Sequence, residues 1–239
     1  MSKNKQPGPF AAADGTGNLR ASRRRFLTLT ASAGLLVTGL DSCNKIRDYL
    51  PVPGGGGNSK AVNLGSGDTG ILNYAYALEQ LEAAFYTKLV MEAYSGMNSM
   101  EMSRLTDIRQ HEVAHREFFK KALAKDAIID LDFDFSSIDF TKRDSVLATA
   151  KAFEDLGVSA YNGAGSLISD TGYLLIAGKI VSVEARHAAY IRDLIMYGSF
   201  ADNSVIDGNG LDTSRKPAEV LAIAGKYIKN KINASNLPS

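Results

Sequence analysis

The chain has 239 residues, 45% hydrophobic and 22% charged, with a formal net charge of +1. That length holds one sizeable core or two small ones, and the near-neutral balance gives no electrostatic case for nucleic-acid binding. The single cysteine, Cys43, excludes an intramolecular disulfide framework and any cysteine-based metal cluster.

Residues 1–43 read as an address rather than a fold. Ser22-Arg23-Arg24-Arg25-Phe26-Leu27 opens the apolar run 26–40, which is short and rich in Ser and Thr for a membrane span. A twin arginine before such a run resembles a twin-arginine (Tat) export signal. Leu40-Asp41-Ser42-Cys43 then resembles the lipobox of bacterial lipoproteins, although Asp41 departs from that pattern. The expectation is an exported protein of the periplasm or cell envelope, with a lipid on Cys43 as its contact with a membrane surface. The alternative is a plainly cleaved signal that leaves Cys43 a free thiol. Residues 1–42 carry +4, which leaves −3 for the rest. Residues 44–69, with Gly54-Gly55-Gly56-Gly57, Gly65, Gly67 and two serines, predict a flexible tether.

Four helices are predicted next, at about 71–94, 99–125, 143–169 and 172–197. In the first, Leu72, Ala75, Glu79, Glu82, Tyr86 and Leu89 recur at steps of three and four, which is one helical face. In the second that face holds Leu105, Ile108, Glu112, His115 and Phe119. In the third it holds Leu147, Ala150, Glu154, Gly157 and Tyr161, and in the fourth Ile180, Glu184, His187 and Ile191. Short connections at 95–99 and 169–172 make two antiparallel hairpins. The long connection 125–143 joins them as a crossover that packs its Phe and Ile residues on the bundle. The fold class is all-α: a four-helix bundle over 70–200, followed by a loop and a flanking helix near 215–230 within 201–239.

A carboxylate on a core-facing stripe costs several kcal/mol unless it is paired or metal-bound. Here that cost recurs in a pattern. Glu79 and Tyr86 are seven residues apart, as are Glu154 and Tyr161; Glu112-x-x-His115 and Glu184-x-x-His187 repeat the other half. Seven residues is two turns, so each Tyr shares a face with its Glu; three residues sets each Glu beside its His. The arrangement reads as a duplicated helical hairpin.

The sequence thus resembles the ferritin-like superfamily, with bacterioferritin and rubrerythrin similar at the level of the pattern. Residues 73–86, NYAYALEQLEAAFY, resemble the first helix of the ferritin-like domain of desiccation- and stress-related proteins. The resemblance covers about 70–197 and implies Glu79, Glu112, His115, Glu154, Glu184 and His187 as ligands of two iron or manganese ions, which accept the same oxygen and nitrogen donors. It implies dioxygen or hydrogen peroxide as reaction partner, through Fe²⁺ oxidation or peroxide reduction in stress defence. The rival is a non-catalytic surface-anchored stress protein whose metal is structural or lost. A monomer or homodimer suits an anchored, tethered chain better than a closed cage. Tyr86 and Tyr161 are candidate electron donors, or core tyrosines with satisfied hydroxyls. Glu82 is an extra ligand or a rim carboxylate, and His111 a support for a ligand or a surface histidine.

His111-Glu112-Val113-Ala114-His115 also matches the H-E-x-x-H pattern of zinc proteases. That reading needs a third ligand, for which only Asp130, Asp132 and Asp134 follow nearby, and it leaves Glu79, Glu154, Glu184 and His187 unexplained.

Overall fold

The computed structural model describes residues 60–239. The expected export signal, the lipobox and the tether up to residue 59 lie outside the described residues. Four long helices follow in order: α1 (Gly67–Met91), α2 (Ser99–Leu123), α3 (Arg143–Ala164) and α4 (Thr171–Ile195). A short α5 (Pro217–Ala224) follows the loop after α4. α1 packs along α2 and α3 along α4, and α1 also touches α3, so two hairpins form the expected all-α bundle.

The helix ends follow from local chemistry. Asn98 caps α2 by accepting from the Glu101 backbone N–H, while the Glu101 carboxylate reaches back to the Asn98 N–H. Glu101 also holds Arg143 at the start of α3 at 2.7 Å, so this cap ties the two hairpins together. Asp170 caps α4 by accepting from the Gly172 and Tyr173 N–H groups. α3 stops at Ala164 and tightens into a turn over Gly165–Leu167, five residues earlier than expected. At Gly163 an added Cβ would lie 1.7 Å from the Arg215 carbonyl oxygen, so only glycine lets the loop before α5 cross here.

α1 is the most enclosed helix, buried almost continuously from Gly70 to Tyr86. Its polar residues hold the crossover in place. The Asn73 amide donates to the Leu64 and Asp126 carbonyls and accepts from the Ile128 N–H. Gln80 accepts from the Leu131 N–H. Ile128, Leu131, Ile138 and Phe140 of the crossover are buried, as expected.

Part of the stretch expected as tether is folded. Val62–Asn63 form β1, which pairs in parallel with β2, Ile232–Asn233. Leu64 is fully buried, and Asp68 accepts from the Ser169 and Asp170 N–H groups. α1 therefore begins at Gly67, and residues 60–69 belong to the folded unit. The flanking helix is also shorter than expected. After Ala224 the chain turns back, Ile228 bridges to Phe133 of the crossover, and the end of the chain runs on to β2. Among the described residues no helix is long and apolar enough to cross a membrane.

Candidate metal centre

Each long helix sends its acidic and histidine residues to the same place between the hairpins. Glu79, Glu112, Glu154 and Glu184 are each at most 1% exposed, so solvent cannot stabilise their charges. The donors form two groups: Glu79, Glu112, His115 and Glu184, and Glu112, Glu154, Glu184 and His187. Within each group the nearest donor atoms all lie within 4.8 Å of one another. Glu112 and Glu184 belong to both groups. All six expected residues thus come together, with Glu112 and Glu184 common to both groups.

The histidines pair across the bundle. His115 Nδ1 lies 2.9 Å from Glu184 Oε1 and 3.5 Å from Glu79 Oε2. His187 Nδ1 lies 2.8 Å from Glu112 Oε1 and 3.5 Å from Glu154 Oε2. Each histidine therefore approaches most closely the Glu of the other Glu-x-x-His pair. This follows from how the two hairpins pack against each other, which spacing within one helix does not reveal.

The tyrosines take the outer oxygens. Tyr86 Oη donates to Glu154 Oε1 at 2.5 Å, and Tyr161 Oη donates to Glu79 Oε1. The inner atoms have no such partner. Glu79 Oε2, Glu154 Oε2, both oxygens of Glu112 and Glu184, and Nδ1 of His115 and His187 are buried without a hydrogen bond. They approach one another at 2.8–3.9 Å but are not aligned for donation. Buried polar atoms are almost always satisfied. Eight that converge unsatisfied on one space, six carboxylate oxygens and two imidazole nitrogens, fit hard or borderline divalent cations.

The electrostatics agree. Burial alone would raise all four glutamates. It does so for Glu79, to about 7, and for Glu154; Glu184 rises well above the usual carboxyl range, with Glu112 and Glu79 adding to the burial effect. At Glu112 burial is outweighed by the close approach of His115 and His187, which brings it to about 2. Burial would lower the histidines, but the surrounding carboxylates raise His115 to about 12 and His187 to about 11. Without a cation the cluster therefore balances its charge with protons. Burial, then Glu154, pushes the Tyr86 hydroxyl up; burial, then Glu79, does the same for Tyr161.

His111 supports His187. Its Nδ1 lies 2.9 Å from His187 Nε2, with the rings parallel at 5.1 Å. Burial, then the two other histidines, lowers its pKa, which favours the neutral ring that can share a proton with His187 Nε2. That contact directs His187 Nδ1 at the carboxylates. Glu82 is buried beside the cluster rather than on its rim. The residues a zinc protease would need do not assemble: Asp130 pairs with Lys120 at 2.8 Å and accepts from Tyr76, and Asp134 accepts from the Ser136 N–H. His111 belongs to neither donor group among the described residues.

Residues 67–197 match the family described as ferritin-like domain. Curated proteins offer no match. The matched stretch exceeds half of the chain and spans all four long helices and every donor of the cluster; the chain belongs to the ferritin-like domain family.

Proposed function

We propose that this protein binds two iron or manganese ions between its hairpins and reacts with dioxygen or hydrogen peroxide, oxidising Fe²⁺ or reducing peroxide. The observation that carries the reading is the set of eight buried, unsatisfied oxygen and nitrogen atoms in two overlapping groups. Glu79 and His115 would serve one ion, Glu154 and His187 the other, with Glu112 and Glu184 shared. Such a pair of ions supplies electrons for reducing an oxidant and positive charge for holding it. The chain's own residues position and tune. Tyr86 and Tyr161 fix the outer oxygens of Glu154 and Glu79 and keep a proton at each. Their contact with those carboxylates also makes them the candidate electron donors. His111 orients His187. A small cavity lined by Ala75, Leu78, Phe118, Ile176 and the Tyr161 ring has apolar walls, which suit a neutral molecule such as dioxygen better than an ion.

The test is anaerobic loading with Fe²⁺, followed by dioxygen or peroxide, with ferric absorbance and oxidant consumption followed in time. Oxidation that outpaces Fe²⁺ in buffer, and that is lost in Glu112→Ala, supports the reading. A metal held only for structure predicts bound ions that stay unoxidised under both oxidants.

Export belongs to the same proposal and rests on residues 22–43 alone. The Tat-type motif and the lipobox-like Leu40-Asp41-Ser42-Cys43 support a protein of the periplasm or cell envelope, tethered through Cys43. Lysine substitution of Arg23, Arg24 and Arg25 together should hold the protein in the cytoplasmic fraction. Cys43→Ser should release it from membranes.

A further inference from the structure

The two halves of the duplicated hairpin differ in how much space they fill. Glu154 follows Glu79 by 75 residues, and Glu184 follows Glu112 by 72. At those same offsets Phe85 answers to Ala160, Leu89 to Ala164 and Leu105 to Ala177. Phe85, Leu89 and Leu105 are fully buried. Ala160, Ala164 and Ala177 instead line the apolar cavity beside Tyr161. Methyl groups thus stand where the first half has large side chains, in a kind of interior that normally packs without voids. The space between the walls, mouth included, is about 480 Å³, a size usual for a small-molecule pocket.

Tyr74 adds a second observation. It lines this cavity and is 1% exposed, and its hydroxyl is buried with no hydrogen-bond partner. Its counterpart 75 residues on, Thr149, donates to the Ser145 carbonyl. Burial raises the Tyr74 pKa, so the hydroxyl keeps its proton. A buried hydroxyl without a partner is rare and costly, and this one is free to donate to a ligand and to accept from it. Phe118 and Tyr173, each 36% exposed, stand at the mouth. Tyr161 closes the cavity on the side of the cluster, where its hydroxyl donates to Glu79.

We propose that the cavity binds an organic hydroperoxide, ROOH with an apolar R group, as a substrate of the neighbouring centre, and that the Tyr74 hydroxyl holds its oxygens. The inference rests on the peroxide-reducing reading above and names the substrate class. Hydrogen peroxide has an O–H at each end, which these walls would leave unsatisfied; ROOH has one, and its body matches the walls. Reduction breaks the O–O bond. ROOH takes up two electrons and two protons and leaves as ROH and water, with the electrons from the two ions of that reading and the protons from solvent.

The test uses 2-phenyl-2-propanol, the alcohol that cumene hydroperoxide would yield, as an unreactive probe of the metal-free full-length protein in titration calorimetry. It should bind. Tyr74→Phe should weaken binding roughly two- to tenfold by removing one hydrogen bond, and Ala177→Phe should abolish it by filling the space. Helical circular dichroism confirms that each variant is folded. With Fe²⁺ loaded, cumene hydroperoxide should oxidise the protein faster than hydrogen peroxide does, and Ala177→Phe should reverse that preference. Absence of binding, or binding that neither folded variant changes, would overturn the proposal while leaving the two-ion reading intact. A probe that binds as expected beside loaded Fe²⁺ that neither peroxide oxidises would sink the peroxide reading, and the substrate assignment with it.

Discussion

The side chains around the cluster divide between atoms that already have a partner and atoms that do not. Tyr161 is the clearest of the first kind. Phe at this position removes the donor to Glu79 Oε1 and leaves a buried carboxylate oxygen unsatisfied, a cost of about 1–3 kcal/mol. Thermal melts of Tyr161→Phe should show that loss, and the ion nearest Glu79 should be held less tightly. His111 acts through another residue. His111→Ala should still bind two ions at saturating metal, with affinity reduced roughly 10–100-fold, because His187 loses the contact that fixes its ring. Equilibrium dialysis against Mn²⁺ measures both quantities. The six donors were legible in the sequence because three- and seven-residue steps put them on one face of each helix. What could not be read was which carboxylate each histidine meets. That depends on how two hairpins cross, and residues 115 and 184 share no helix.

Helices of this length announce themselves through periodicity, so all four were placed within a few residues of their observed ends. Their boundaries were harder. Residues 60–69 carry the Gly and Ser content of a tether, yet β1 pairs with β2 near the far end of the chain, and Asp68 holds the turn between α3 and α4. Pairing between residues so distant leaves no local signal, and a two-residue strand has no periodicity to detect. α5 ends early for a related reason: the segment after Ala224 gains more by bridging to Phe133 of the crossover than by extending a helix. The crossing at Gly163 gives a sharp test of this packing. Gly163→Ala would place a methyl group against the Arg215 carbonyl, and backbone cannot yield as a flexible side chain does. Destabilisation of about 1–3 kcal/mol or more is expected in denaturant unfolding, with α5 detaching first under hydrogen exchange.

For the molecule as a whole, the cluster couples stability to pH. Glu79 has a folded pKa of about 7, above its unfolded value of 4.5. Its stabilising contribution is complete below pH 4.5 and is lost as pH rises through 7. Glu154 and Glu184 shift in the same direction. The protonated histidines, raised to about 12 and 11, contribute fully below pH 6.5 and fade progressively as pH rises from there through those values, which adds to the loss. Glu112, lowered to about 2, opposes this only below pH 4.5. The metal-free protein should therefore lose stability between about pH 4.5 and 7.5. Ions replace the protons that the donors release, so metal-loaded protein should be spared. The gap in Tm between loaded and metal-free forms should widen across that range; a constant gap would mean the donors do not exchange protons for metal.

The most direct test of the central claim is the metal bound per chain. Full-length protein would be equilibrated with excess Fe²⁺ under anaerobic conditions, or with Mn²⁺, freed of unbound metal and measured by elemental analysis beside Glu112→Ala, His187→Ala and His111→Ala. The account predicts about two ions per chain, lost in the first two variants and retained at saturation in the third. A folded protein that binds no iron or manganese would contradict it. So would a single zinc that depends on His111 and not on His187, which would restore the protease reading.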